Sequence, residues 1–357
     1  MKLSNLFNKK SVNFKHNLLL WHSNQNKREM PWKGIKDIYK IWLSEIILQQ
    51  TRVEQGRAYY NRFIETFPTI QDLAAAPERS VMKLWEGLGY YSRCRNLHFT
   101  AKFIVKEHKG IFPDTYEGLL ALKGVGPYTA AAIASFGFNI PKAVVDGNVI
   151  RVLSRYFGLD EPINATSTKK LLTDLAERCL DSKQPGTYNQ AIMDFGATVC
   201  KPVSPLCLAC PLHTHCEAYR LHKVDQLPHR SNKITKKTRW FIIKIIQCKQ
   251  YYAIHLRPTG DIWAGLYAFP MTEQPSKRAW ATSIKDLASH SEDAIQCKQV
   301  YHQQLTHQTI YAGVIRLKIN KRADASNDLQ WVHQKKIAEL AFPRIFRDIL
   351  QKENLIL

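Results

Sequence analysis

The sequence predicts a mainly α chain: a two-part helical domain ending in a metal-binding loop, followed by a smaller α+β domain. Three observations carry that expectation. Residues 1–220 place apolar residues at helical spacing, and after Arg230 the texture changes to runs rich in Ile, Val, Tyr and Phe. Between the two, four cysteines crowd into seventeen residues, Cys200 to Cys216. At 357 residues the chain is also too long for one ordinary core, so two or three domains are expected.

The helical segments are read at 37–54, 70–76, 79–86, 95–108, 115–121, 127–136, 148–157, 167–180 and 187–198. Turns containing Pro, Gly or Asp separate them, at Phe67-Pro68, Ala76-Pro77, Phe112-Pro113-Asp114 and Lys123-Gly124. Strands are expected at 239–249, 251–257, 266–271 and 309–319, with helical stretches at 276–287 and 334–351. The organisation expected is a helical catalytic region over 1–217, with its cysteine loop at 200–216. A polar, basic linker over 218–237 and a C-terminal domain over 238–357 follow. On that reading residues 1–225 fold alone.

Lys plus Arg outnumber Asp plus Glu by 51 to 30, a net charge of +21. Such an excess favours a polyanionic partner, because each neutralised phosphate releases condensed counterions. An anionic membrane surface would attract it too, but no apolar run approaches the roughly 20 residues of a span. The basic N-terminus has no apolar stretch longer than 18–21 and no Arg before Arg28, so it reads as mature protein. Without a signal sequence a cytoplasmic location is expected, and the eight cysteines read as thiols or ligands, not disulfides.

Cys200, Cys207, Cys210 and Cys216 form C-x6-C-x2-C-x5-C directly after a predicted helix. Four thiolates this close suit a tetrahedral zinc or a 4Fe–4S cluster. Zinc sites favour two closely spaced pairs, and here the central pair alone has the x2 spacing. The pattern resembles the cluster loop of the endonuclease III superfamily of DNA glycosylases, which implies one 4Fe–4S cluster. Lys201, His213 and His215 beside it would present a basic loop to DNA. Cys94, Cys179, Cys248 and Cys297 lie apart and read as core residues.

Leu122-Lys123-Gly124-Val125-Gly126 joins two helical segments. Its glycines permit a tight turn, and the helix that follows offers unpaired N–H groups to an anion. With Pro127-Tyr128-Thr129-Ala130 and an aspartate about twenty residues on, this resembles the helix-hairpin-helix, Gly/Pro loop and Asp of the same superfamily.

Two carboxylates stand out. Glu45 lies in helix 38–51, which is apolar on nearly every side, and shares a stripe with Ile41, Trp42 and Leu48. Burial disfavours the charged form and raises its pKa, as a general acid needs. Asp146 precedes Gly147-Asn148-Val149 at the start of another helix, where it serves as N-cap and is held anionic. One carboxyl protonated and one ionised is the arrangement expected where a glycosidic bond breaks through a cationic sugar.

The run Trp42-Leu43-Ser44-Glu45-Ile46-Ile47-Leu48-Gln49-Gln50-Thr51, with 87–93 and Val145-Asp146-Gly147-Asn148-Val149, closely resembles the MutY family of adenine DNA glycosylases. The resemblance covers nearly the whole chain. It implies a monomeric, predominantly monofunctional enzyme acting on duplex DNA that carries adenine opposite 8-oxoguanine or guanine. Glu45 would protonate the flipped adenine at N7, and Asp146 would stabilise the oxocarbenium ion or a covalent intermediate. Tyr128 and Asn148 would support Asp146. Gln49, Gln50, Thr51 and Tyr90 would engage the duplex, Gln50 and Tyr90 as wedges where the base has left. Leu122, Gly124, Val125 and Gly126 would grip phosphate. Arg28, Trp32 and Gln190 resemble the positions lining the family's adenine pocket.

Two other readings compete. Endonuclease III-like lyases acting on oxidised pyrimidines carry a nucleophilic lysine where this chain has Tyr128, and a tyrosine cannot form a Schiff base. A non-catalytic iron–sulfur DNA-binding protein would not need both Glu45 and Asp146.

Residues 257–270 resemble the MutT/Nudix-like domain with which the family recognises 8-oxoguanine. The stretch 276–290 lacks the glutamates of a metal-binding Nudix helix, which argues against nucleotide hydrolysis. Leu305-Thr306-His307 resembles the family's Phe-Ser-His reader motif; the hydroxyl is kept, and Leu replaces the aromatic ring.

Overall fold

A computed structural model describes residues 2–229, 236–289, 294–322 and 329–355. The chain divides into two compact units that do not follow chain order: Met1–Ala75 with Asn96–Lys233, and Ala76–Arg95 with Ile234–Leu357.

In the first unit, α1 (Lys2–Gln25) buries Phe14, Leu18 and Trp21 at helical spacing. The helix expected over 37–54 ends early as α2 (Ile38–Leu48), and α3 (Val53–Thr66), nearly all of which was not expected, follows it. Gln50, in the left-handed conformation at φ 57°, ends the first. Next comes α4 (Ile70–Ala75); α5 (Glu78–Leu84) belongs to the second unit, and α6 (Ser92–His108) leads back into the first. The unit is completed by α7 (Tyr116–Leu120), α8 (Pro127–Gly137), α9 (Gly147–Phe157), α10 (Thr166–Cys179), α11 (Pro185–Thr198) and a short α12 (Glu217–Arg220). One core joins α1 and α8 to α11 through Leu18, Ala132, Leu153, Leu172, Tyr188 and Phe195. Burying aliphatic and aromatic side chains of that size contributes roughly 1.5–3 kcal/mol each.

In the second unit, seven strands are formed among the described residues, in the order β3-β2-β1-β6-β5, with β4 on β1 and β7 on β2. They are β1 (Lys237–Cys248), β2 (Tyr251–Leu256), β3 (Tyr267–Ala268), β4 (Met271–Gln274), β5 (Ala294–Gln304), β6 (Gln308–Lys318) and β7 (Gln330–His333). The long central strands β1 and β6 run parallel, and β5 returns antiparallel to β6 through the turn 305–307. Helix α13 (Lys277–Ser289) covers the sheet with Trp280 and Ile284 against Ile242 and Ile315. The strand expected over 266–271 splits around Pro270, which has no N–H for a ladder. The helix expected over 334–351 is two, α14 (Gln334–Ile337) and α15 (Arg344–Lys352), because Pro343 can begin a helix but not continue one. Strands β5 and β7 were not expected.

Segment 76–95 is tied into this unit. Lys83 Nζ donates to the Leu340 carbonyl (2.9 Å), Glu86 Oε1 accepts from the Phe342 N–H (2.8 Å), and Arg95 donates to the Ala264 carbonyl. A chain ending at residue 225 would leave these groups without those partners. Among the described residues no helix is long and apolar enough to cross a membrane.

Candidate active site

Asp37 caps α2 by accepting from the Lys40 N–H, and the helix then buries Tyr39 and every residue from Ile41 to Ile47. Glu45 is carried inside by that apolar face and is 5% exposed. Its Oε2 has no hydrogen-bond partner among the described residues. Burial pushes its pKa up to about 7; the Tyr128 hydroxyl opposes the shift and the Asp146 charge adds to it. Tyr128, in the first turn of α8, sets its hydroxyl beside the Glu45 carboxyl and 3.4 Å from Met193 Sδ. Burial, first, and then the two carboxylates raise the phenol well above its ordinary pKa, so it remains a neutral donor.

Asp146 is the N-cap of α9. Its Oδ1 accepts from the Asn148 and Val149 N–H groups, both at 2.8 Å, and its Oδ2 from Asn148 Nδ2 at 2.8 Å. Arg151, one turn on, donates from Nη2 to Asn148 Oδ1 (2.9 Å) and from Nε to the Cys200 carbonyl (2.8 Å). Glu45, Tyr128, Asp146 and Asn148 are thereby brought together.

Beside Glu45 opens a cavity of ≈ 200 Å³ whose wall includes Ser44, Trp32, Gln190, His22 and Lys33. Trp32 is braced edge-on by Tyr60, centroids 5.2 Å apart. Behind the wall Asp194, fully buried, takes Arg28 Nη1 (2.8 Å), Lys33 Nζ (3.0 Å), Gln190 Nε2 (3.0 Å) and Asn26 Nδ2 (2.8 Å). Of the three residues expected in this pocket, Trp32 and Gln190 line it. Arg28 is outside the lining set, its guanidinium turned onto Asp194.

The hairpin runs from α7 through Leu122–Gly126 into α8. Leu122 and Val125 are buried, and Val125 N–H closes the turn on the Leu122 carbonyl (3.1 Å). Gly124 has φ 84°, and a Cβ there would meet Asn96 Cβ at 2.8 Å, so both its conformation and its space require glycine. Gly126 caps α8, with Pro127 in the first turn. Gln49 Nε2 donates to Thr129 Oγ1 (3.1 Å) and to the Gly124 carbonyl (3.3 Å), binding the end of α2 to the hairpin. Thr51 Oγ1 donates to the Gln49 carbonyl (3.3 Å) across the left-handed Gln50.

Cys200, Cys207, Cys210 and Cys216 line one small cavity with Arg155 and His213. Arg155 Nη1 lies 3.6 Å from Cys200 Sγ, a cationic donor suited to thiolate ligands. Among the described residues, no three His, Cys, Asp or Glu converge closely enough to hold a single metal ion. Of the other four cysteines, Cys94, Cys179 and Cys248 are buried as expected, and the Cys297 side chain lies outside the described residues.

In the second unit Tyr90 has φ 47° and is 42% exposed. Its hydroxyl shares a hydrogen bond with the Thr306 hydroxyl, and the Arg93 guanidinium lies over both the Tyr90 ring (5.6 Å) and the Trp85 ring (5.1 Å). Leu305, half-buried, and the exposed Thr306 and His307 form the β5–β6 turn, closed by Leu305 N–H on the Gln308 carbonyl (2.8 Å).

Sequence reasoning missed Asp194, Asn26, His22, Lys33 and Arg151. The signal for Asp194 was present: an acid between Ile192-Met193 and Phe195 in a mostly buried helix, the argument that singled out Glu45.

Comparison with known proteins places residues 43–178 in the HhH-GPD superfamily of base excision DNA repair proteins, and residues 213–352 match the NUDIX domain. The adenine DNA glycosylase of Buchnera aphidicola subsp. Baizongia pistaciae (strain Bp) is 37% identical over 323 residues, 88% of this chain and 89% of that protein. That of Buchnera aphidicola subsp. Acyrthosiphon pisum (strain APS) is 32% identical, covering 96% and 98%. Among solved structures, a thermostable thymine-DNA glycosylase superposes with TM-score 0.56 at 30% identity, over 60% of this chain and 98% of that one.

Proposed function

This chain belongs to the adenine DNA glycosylases, and from that premise we propose that it hydrolyses the N-glycosidic bond of adenine paired with 8-oxoguanine, or with guanine, in duplex DNA. The observation that carries the reading is the buried Glu45, held near neutrality in pKa beside a cavity and a second carboxylate.

The base is turned out of the stack into the ≈ 200 Å³ cavity, against Trp32 and Gln190. Protonated Glu45 delivers its proton to adenine N7. The C1′–N9 bond breaks with its electron pair leaving on the base, and the cationic sugar forms against Asp146. Water adds to C1′ and gives its proton to the Glu45 carboxylate, which restores the acid, so adenine and an abasic sugar are the products. Asp146 is suited to that charge because three donors fix its two oxygens in place before the cation forms. Tyr128 keeps the Glu45 carboxyl oriented. Gln50 and Tyr90 each intrude into the duplex as wedges, and the 122–126 turn with the α8 N-terminus grips backbone phosphate.

The four cysteines around one cavity, with Arg155 at Cys200, fit a 4Fe–4S cluster held by Cys200, Cys207, Cys210 and Cys216. Its role is to hold the loop that carries Lys201, His213 and His215 and that anchors Arg151. Leu305, Thr306 and His307 read the 8-oxoguanine nucleotide. Single-turnover cleavage of duplexes with A opposite 8-oxoguanine, G, T or C, beside a duplex that carries an oxidised pyrimidine, tests the reading. Excision ordered 8-oxoguanine, then G, above T and C supports it, and excision of thymine or oxidised pyrimidines in place of adenine overturns it.

A further inference from the structure

The wall of the base cavity contains a histidine, His22, to which nothing above gives a role. It sits in the last turn of α1, on the same cavity as Glu45, Trp32 and Gln190. Its Nδ1 lies 2.9 Å from Asn26 Nδ2. Which of the two donates is decided by what else Asn26 touches.

The Asn26 amide is oriented from both ends. Its Oδ1 accepts from the Arg28 backbone N–H at 3.1 Å, and its Nδ2 donates to Asp194 Oδ2 at 2.8 Å. Turning the amide over would set its carbonyl against that carboxylate oxygen and its NH2 against a backbone N–H, losing both bonds. The nitrogen facing His22 is therefore a donor, and its second hydrogen goes to the ring. Nδ1 must accept, which leaves the ring proton on Nε2. A doubly protonated ring would put an N–H against the amide NH2, so this arrangement also favours the neutral form. Burial, and next the Lys33 charge, hold the His22 pKa below the ordinary histidine value, against the opposing pull of Asp194. The carboxylate that orients the relay is itself fixed by Arg28, Lys33 and Gln190.

We propose that His22 is a specificity-determining residue of the base cavity: Asp194 and Asn26 lock its neutral tautomer so that Nε2–H donates to an acceptor nitrogen on the edge of the flipped base. The inference rests on the adenine-excision reading above and deepens it. Adenine carries unprotonated ring nitrogens at N1 and N3, whereas hypoxanthine and guanine carry a proton on N1. A locked donor accepts the first pattern and, facing N1, rejects the second. An untethered histidine could change tautomer and satisfy either, so the tether is what makes the residue discriminate.

The test pairs base analogues with a shape-conserving variant. Single-turnover excision is measured for adenine, 1-deazaadenine and 3-deazaadenine opposite one fixed partner, in the native full chain and in His22→Phe. Native protein should lose roughly ten-fold on one of the two analogues, the size of one hydrogen bond. In His22→Phe that penalty should disappear, because adenine itself falls to the analogue's rate. Equal penalties in both proteins, or no penalty for either analogue in native protein, overturn the proposal while leaving adenine excision standing. A native chain that excises no adenine from any duplex instead sinks the parent reading. A second measurement needs no variant: ¹⁵N-histidine spectra of the native chain should show Nε2 protonated and Nδ1 bare. The Nε2 resonance should move when a duplex bearing an uncleavable 2′-fluoro adenine nucleotide binds. A ring protonated on Nδ1, or an Nε2 resonance unmoved by that duplex, overturns the assignment.

Discussion

Asn148 holds both oxygens of Asp146, its backbone N–H on Oδ1 and its side-chain Nδ2 on Oδ2, each at 2.8 Å. A cap that uses one oxygen would leave the carboxylate free to rotate; this one does not. Arg151 in turn fixes Asn148 Oδ1 (2.9 Å) and reaches the Cys200 carbonyl (2.8 Å), so the orientation of Asp146 is continuous with the start of the cysteine loop. Preorganisation of this kind suits a carboxylate to face a developing cation without reorganisation at the moment of reaction.

Glu45→Gln should abolish adenine release while leaving mismatch binding largely intact, since the amide keeps the shape and cannot deliver a proton. Asp146→Asn should also lose most of the rate, with a fall of at least about 100-fold expected for each. Single-turnover rates beside equilibrium binding on the same duplex check both. A variant that excises at near-native speed would remove its residue from the mechanism.

The Glu45 pKa, raised to about 7 by burial, fixes the sign of two pH effects. Excision should fall as pH rises through about 7, because the acid form is lost. Stability moves the same way. The folded state keeps this proton between the unfolded value near 4.5 and about 7, so Glu45 increasingly destabilises the fold across that window. Removing the ionisable group should therefore raise stability at neutral pH by roughly 3 kcal/mol at most, at 1.36 kcal/mol per unit. Denaturant melts of native and Glu45→Gln protein at pH 4.5 and pH 7.5 test this: similar at the lower pH, the variant ahead at the higher. A variant weaker at pH 7.5 would contradict it.

Purified protein should be brown, absorb broadly at the violet end of the visible range and contain about four irons per chain. Stoichiometric zinc in anaerobically prepared protein would exclude the cluster. Cys210→Ser should weaken folding or DNA binding, since the loop carries basic side chains and none of the carboxylates.

With Tyr128 at the hairpin, the strand should stay intact after adenine leaves, until alkali is added. Borohydride should trap no covalent complex. Lys123 has its ammonium over the Phe99 ring at 4.4 Å and sits in the turn itself, away from Glu45 and Asp146 in sequence and role. Efficient cleavage without alkali, with trapping at a hairpin lysine, would support the lyase reading in place of this one.

The sequence made Glu45 legible because an acid inside an uninterrupted apolar helix has few structural explanations, and Asp146 because Gly147-Asn148 marks a helix start. The Asp194 hub was harder to read. Its partner Asn26 lies 168 residues away, and no periodicity links them. The same separation hid the union of segment 76–95 with the C-terminal sheet, whose hydrogen bonds span 256 and 257 residues. Strand β5 escaped because Gln296, Lys298, Gln299, His302, Gln303 and Gln304 mask its alternation. Helix α1 carries its apolar stripe in Phe14, Leu18 and Trp21, but Lys9, Lys10, Asn13, Lys15 and Asn17 around it dilute the helical signal.

The last prediction concerns the β5–β6 turn. Thr306 and His307 are exposed at its tip, and Thr306 shares a hydrogen bond with Tyr90, the proposed wedge. If these two residues read the nucleotide opposite adenine, each contact adds on the order of 1–3 kcal/mol of discrimination through one base edge. The double change Thr306→Ala with His307→Ala should therefore lower the preference for A opposite 8-oxoguanine over A opposite G by roughly ten-fold or more. Slow excision from the ordinary mismatch should change little. Thr306→Ser should restore most of the preference, because it keeps the hydroxyl and loses one methyl. Cutting the chain after residue 225 is a poorer test, since Lys83, Glu86 and Arg95 would lose the partners described above. The measurement is the ratio of single-turnover rates, and of dissociation constants, for the two duplexes in the full-length chain. One fixed salt concentration is needed, because a chain of net charge +21 binds DNA in a strongly salt-dependent way. An unchanged ratio in the double variant would take the reader role from this turn, and Leu305, standing where the family has an aromatic ring, would be the residue to restore first.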